Sequence, residues 1–145
     1  MTPSGPEDSP GFLLWRLTLR WQREVAAALR PLELTHVQFV LLAGAWWLER
    51  VGPPPSQREL AAHADTDAMM TSQVVRALES RQLLVRTADA ADARVRRLAV
   101  TPAGQALVQN AIGVVEAVDE RFFAPASDRP RLIGDLARLV DRGST

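Results

Sequence analysis

One stretch of this chain leaves few folds open to it. Between residues 67 and 84, Thr71, Val74, Val75 and Leu78 recur at i, i+3, i+4 and i+7, the period of a helix with one buried stripe. The open face carries Met69, Met70, Ser72, Gln73 and Arg76, where an ordinary solvated helix would show Glu and Lys. Short or flexible polar groups and thioethers can meet base edges, or a thymine methyl, when a helix lies in a DNA major groove. At ~1.5 Å per residue, roughly fifteen residues span about 22 Å, enough to cross that groove and still pack on a core. Taken alone, such a helix is more often a plain solvated element, so its neighbours decide.

An apolar share of 47% over 145 residues is enough for a real core. There are no cysteines, which excludes disulfides, thiolate metal sites and thiol-based redox sensing. No run approaches about eighteen consecutive apolar residues, and the start is short, acidic and proline-rich, so a soluble cytoplasmic protein with no membrane partner is expected. Basic and acidic residues balance at 17 each, and every basic residue is Arg. Any DNA affinity must therefore come from local arrangement. Arg76, Arg81, Arg86, Arg94, Arg96 and Arg97 face only Glu79, Asp89 and Asp92 across that stretch, a modest positive footprint.

Residues 1–11 are expected to form a flexible arm. From Phe12 the pattern is helical, with Leu14, Leu17, Trp21, Val25 and Ala28 on one stripe and Phe12, Leu13, Trp15 and Leu19 off it. A helix apolar on more than one side must be buried on more than one side. A chain this small has little mass of its own to do that, which points to a dimer contact. Pro31 stops this helix, and Thr35 with Gln38 forms a capping box for a second one, whose core stripe is Val37, Val40, Leu41, Gly44, Trp47, Leu48 and Val51. Gly52-Pro53-Pro54-Pro55 cannot continue a helix and makes a stiff connector. Ser56 and Glu59 then open a short third helix as a second capping box. A tight turn, with Thr66 or Asp67 as cap, leads into the helix described first, and the pair is a helix-turn-helix.

After Gln82 the period becomes extended. Residues 83–87 and 96–101 are strand candidates joined by a small polar loop, a hairpin wing with Arg94 near its tip, where a guanidinium can enter a minor groove or grip a phosphate. Thr101 and Pro102 are an N-cap and a first-turn proline. The helix they open, to about residue 124, again has two apolar faces, one through Leu107, Ala111, Val114, Val118 and Phe122, the other through Val108, Ile112, Val115 and Phe123. Pro125 ends it; Ser127 or Asp128 caps a last helix with Leu132, Ile133, Leu136, Leu139 and Val140 on its apolar side. The fold class is mainly α: a winged helix-turn-helix over residues 35–101, between dimerisation helices at 12–34 and 102–145.

Several strings resemble the MarR family of bacterial transcription regulators. They are Leu34-Thr35-His36-Val37-Gln38-Phe39-Val40-Leu41, Glu59-Leu60-Ala61, Val74-Val75-Arg76-Ala77-Leu78-Glu79, and Asp92-Ala93-Arg94 followed by Leu98-Ala99-Val100-Thr101-Pro102-Ala103-Gly104. The resemblance covers roughly residues 12–124, and the Asp-x-Arg wing before a Thr-x-x-Gly turn is its most specific part. It implies a homodimer that binds double-stranded DNA through two winged lobes. It places Met69, Met70, Ser72, Gln73 and Arg76 against the major groove, with Thr71 in a slot usually held by a packed Val. It pairs Asp92 with Arg94, which reaches the minor groove, and puts Ser56 and Gln57 where the first helix of the motif touches phosphate; Arg96, at the start of the second strand candidate, is a further DNA-binding candidate. Small aromatic effectors would sit where the dimerisation helices meet the DNA-binding lobe, at Trp15, Leu19, His36, Phe39 and Ala43. Aromatic residues in such a protein are mostly core, and a His just inside a helix start is more often solvated or capping. Gln82 departs from the family, which usually has Gly there at a left-handed helix end.

No cofactor and no enzymatic activity are expected. There is no Gly-rich phosphate loop and no cluster of metal ligands, and His36 and His63 lie on separate predicted helices. The rival reading is a winged helix that binds protein in place of DNA, which fold alone does not exclude.

Overall fold

The computed structural model describes residues 5–142. In chain order these form α1 (Pro10–Leu29), α2 (His36–Val51), α3 (Gln57–Ala64), α4 (Ala68–Ser80), β1 (Leu84–Ala88), β2 (Arg96–Val100), α5 (Pro102–Phe122) and α6 (Arg129–Asp141). Among the described residues no single helix is long and apolar enough to cross a membrane.

Local capping chemistry sets most of the helix starts. Thr35 and Gln38 form the full reciprocal box at α2, and the side chains of Asp67, Thr101 and Asp128 accept from Met70, Gly104 and Arg131 N–H groups at α4, α5 and α6. Two expectations are corrected here. Ser9 caps α1 by accepting from Phe12 N, so the helix begins at Pro10, and residues 6–8 form a 3-10 turn, so residues 6–11 are not a loose arm. Residues 1–4 of that arm lie outside the described residues. At α3 only half of the capping box forms: Ser56 Oγ accepts from Glu59 N, but Glu59 Oε1 takes the Ser56 hydroxyl, at 3.1 Å, and not its backbone N–H.

The end of α4 shows why Gln82 can replace glycine. Gln82 N–H donates to Glu79 O and Leu83 N–H to Leu78 O, each at 2.9 Å, the bonding of a Schellman cap. Closing it puts Gln82 at φ 60°, in the left-handed region. A side chain there costs about 1 kcal/mol, offset in part because glycine loosens the unfolded chain. Gln82→Gly is therefore expected to raise stability by about 0.5–1 kcal/mol, read as a higher urea midpoint at unchanged slope; a lower midpoint would mean that the Gln side chain has contacts that outweigh the strain. The cap uses Leu83, so β1 starts at Leu84, one residue later than the pattern suggested.

The strands pair antiparallel from Leu84 opposite Val100 to Ala88 opposite Arg96. The proline connector joins them: Leu98 N–H donates to Pro55 O at 2.7 Å. Thr101 fastens the hairpin to the end of α4, with its N–H on Leu83 O at 3.1 Å and its hydroxyl on Gln82 O at 2.6 Å. Three residues on, Gly104 lies so close that a Cβ there would stand 2.2 Å from Leu83 O.

One core joins all of this, through Val25 and Leu29 of α1, Leu41, Leu42 and Ala45 of α2, Leu60 of α3, Val75 and Leu78 of α4, Leu84 and Leu98 of the sheet, and Val108, Ala111, Val115 and Val118 of α5. Trp21 Nε1 adds a hydrogen bond to Asp119 Oδ1 at 2.7 Å, tying α1 to α5. Two predicted stripes are redrawn. On α2, Leu42 and Ala45 are buried while Trp47 and Val51 are 52% and 63% exposed, because α3, α4, α5 and β2 all press on a helix apolar nearly all round. On α5 the buried line takes residues from both predicted faces. The N-terminal half of α1 is exposed on both apolar faces, with Leu14 and Trp15 at 57% and 64%, and α6 buries nothing within the protomer.

Candidate nucleic-acid interface

Helix α4 stands on its apolar side through Thr71, Val75 and Leu78, all fully buried. Thr71 is the polar member of that row, and its hydroxyl is satisfied by Asp67 O and Thr66 Oγ1, both at 2.7 Å. This fixes which face turns outward. Met69, Met70, Gln73 and Arg76 are exposed and Ser72 is partly so. Arg76 lies back along the helix, with Nε 3.3 Å from Ser72 O and a terminal nitrogen 3.1 Å from Ser72 Oγ. At ~1.5 Å per residue, the thirteen residues of α4 give a rod about 20 Å long.

The wing ends in a fork. Arg94 donates to Asp92 through Nε to Oδ1 at 3.1 Å and a terminal nitrogen to Oδ2 at 3.3 Å, while its side chain is 91% exposed. The bonds from Arg94 hold the Asp92 carboxyl below its usual pKa. Arg96 is exposed on β2.

Of the positive excess seen in the sequence, part is engaged internally. Arg86 donates to Glu79 of α4 at 3.1 Å and to Gln57 Oε1 of α3 at 2.8 Å, linking the two helices of the motif to β1. Gln57, a candidate phosphate contact, thus has its carbonyl engaged by Arg86. Arg97 donates to Asp89 Oδ1 at 2.5 Å and to Pro54 O at 2.8 Å. Arg81 donates to Glu33 O at 2.6 Å. The carboxylate partners lie 7 and 8 residues away, but the bonds to Gln57 and Pro54, 29 and 43 residues away, were not readable from spacing. Arg58, exposed on α3 beside Ser56 and Gln57, is a cation the sequence reading passed over.

The five candidate effector residues divide between two places in the protomer. Trp15 and Leu19 are on the exposed part of α1. Phe39 and Ala43 are half-buried against the core, and His36 lines a shallow groove with Ala26, Arg30, Glu33, Leu34 and Thr35. The His36 ring meets Trp21 edge-on, 4.9 Å between centroids. Burial lowers the His36 pKa from its usual 6.5, with Asp119 opposing part of that shift. The fold thus favours neutral imidazole, and its contribution is complete above the unfolded value of about 6.5 and lost as pH falls toward the lowered folded value. His36→Gln is expected to flatten the fall in urea midpoint between about pH 7 and 5; an unchanged fall would assign that titration to another group.

A buried-on-one-side helix with an open polar face, beside a hairpin with a guanidinium at its tip, defines a winged helix-turn-helix protein. The model of the MarR family matches residues 34–95. The chain is 41% identical over 137 residues to the HTH-type transcriptional regulator YdcH of Bacillus subtilis, covering 94% of this chain and 93% of that one. It is 36% identical over 119 residues to the HTH-type transcriptional repressor Rv2887 of Mycobacterium tuberculosis, covering 81% and 83%. Its fold is similar to CouR from Rhodococcus jostii RHA1, crystallised with p-coumaroyl-CoA, at TM-score 0.84 and 27% identity over 96% and 94% of the two chains. The chain belongs to the MarR family, and it is a transcriptional regulator. A winged helix that binds protein in place of DNA is not favoured.

Proposed function

We propose that two copies of this chain form a homodimer that represses transcription by holding a pseudo-palindromic operator, with each α4 in a major groove and each Arg94 in the adjoining minor groove. The observation that carries this is the outward face of α4, where Met69, Met70, Gln73 and Arg76 are exposed together above a fully buried row. Half-sites about 34–36 Å apart suit a two-fold dimer of such helices. Dimerisation is supported by the exposed apolar faces of α1 and α6, since soluble monomers rarely leave contiguous patches of this kind uncovered. Repression is supported by the likeness to Rv2887. Ser56, Gln57, Asp92 and Arg96 complete the DNA-facing set.

Release is assigned to a small aromatic effector that favours one dimer geometry over another, with Trp15, Leu19, His36, Phe39 and Ala43 as its candidate contacts. CouR, with its aromatic acyl-CoA, supports that class of ligand. The protein works in the cytoplasm and has no catalytic role. Sedimentation of the free protein and anisotropy titration of the DNA upstream of its own gene, at several salt concentrations, test the reading. A dimer whose affinity falls steeply as salt rises is expected; a monomer, or affinity indifferent to salt, would overturn it.

A further inference from the structure

The wing arginine stands at the end of a chain of bonds that begins inside the protein. Arg97, only 20% exposed at its side chain, donates to the carbonyl of Pro54 in the connector at 2.8 Å and lies 3.7 Å from Glu59 of α3. Its Nε donates to Asp89 Oδ1 at 2.5 Å, and Asp89 is itself 17% exposed. The other Asp89 oxygen accepts from Ala91 N and Asp92 N, both at 3.0 Å. Asp92 in turn forks Arg94. Each link fixes the next, from the rigid prolines to a loop whose own backbone bonds, Asp89 N–H to Val95 O at 2.9 Å and Val95 N–H to Asp92 O at 3.0 Å, close it on itself but do not tie it to the connector.

We infer that Arg97 and Asp89 are positioning residues for DNA binding: they touch no base or phosphate, and act by fixing the wing loop so that Asp92 presents Arg94 to the minor groove already oriented. This rests on the proposed role of Arg94. Ordering a long side chain and its loop in advance lowers what binding must spend in entropy, the same logic by which outer groups orient the ligands of a metal.

The sign of one substitution separates this from simple charge. Asp89→Asn removes a negative charge from the wing and would tighten binding if potential alone mattered. Positioning requires that it weaken binding. The experiment measures operator affinity and its salt dependence in the full-length dimer for Arg94→Ala, Arg97→Leu, Asp89→Asn, and each of the last two combined with Arg94→Ala. Arg94→Ala is expected to weaken binding about tenfold per half-site and to lower the salt slope by about one unit per protomer. Arg97→Leu and Asp89→Asn should each reproduce part of that loss and of that slope change, and should add nothing in the Arg94→Ala background. If Arg97→Leu still weakens binding when Arg94 is absent, or Asp89→Asn binds more tightly than the parent, the inference is overturned while the role of Arg94 stands. If Arg94→Ala itself changes neither affinity nor slope, the wing reading beneath it falls. Should Arg97→Leu fail to fold, Asp89→Asn, which keeps volume and turn-forming capacity, decides alone.

Discussion

Replacing Gly104 by alanine is expected to cost the fold about 3 kcal/mol, the largest loss among the described glycines. The reason is a backbone contact on both sides. The new Cβ would fall 2.2 Å from Leu83 O and 3.0 Å from its carbonyl carbon, far inside van der Waals distance. That carbonyl cannot move aside cheaply, because it accepts Thr101 N–H and sits one residue beyond the left-handed cap at Gln82. Relief would require the first turn of α5 to lift away from the end of α4, undoing Thr101 as cap and anchor together. Gly113 is the control, lying in the same helix with nothing within 4 Å of its added Cβ. Gly113→Ala should gain about 0.5–1 kcal/mol from helix propensity. Opposite signs from two glycines of one helix, in urea unfolding at equal protein concentration, are the expected outcome; equal and small effects would mean that the α4–α5 junction is looser than described.

The second large effect concerns sequence discrimination. Gln73→Ala and Arg76→Ala are each expected to lose roughly 1–3 kcal/mol of preference at one base pair per half-site, hence about 2–6 kcal/mol over two half-sites. Gln73 offers an amide that can bond adenine at two atoms, and Arg76 a fork suited to guanine once it leaves Ser72. Arg94→Ala should instead weaken every sequence about equally, because an arginine in the minor groove meets a nearly degenerate pattern of acceptors. Affinity measured across single-base variants of an operator separates these outcomes. Loss of selectivity at one position on removing Arg94, with none on removing Gln73 or Arg76, would exchange the roles of wing and helix.

What the sequence disclosed, and what it withheld, follows the range of the forces involved. Caps at Thr35, Asp67, Thr101 and Asp128 act over three residues, so, although the Ser9 cap of α1 went unread, the chain announced these four starts, two of them as a choice between neighbouring residues. The same holds for the exposed face of α4, since burying Thr71, Val75 and Leu78 leaves its opposite side no choice. On α2, by contrast, apolar residues lie almost all round, and periodicity could not say that Leu42 and Ala45 would go inside and Trp47 outside. Only the placement of four other elements settles that. The arginines show the same limit at the interface. Six of them looked like a footprint for phosphate, yet Arg86 and Arg97 hold helices and hairpin together through groups distant in sequence.

The proline connector has one more consequence. Each of the two edges of a two-stranded sheet can recruit a strand from a neighbouring molecule, a route to aggregation. Here the β2 edge meets Pro55, which accepts from Leu98 N. Three prolines in succession have no amide hydrogen to offer a further chain, so the ladder stops where it begins. The segment that spaces α2 from α3 thus also closes the β2 edge of the hairpin to a further strand.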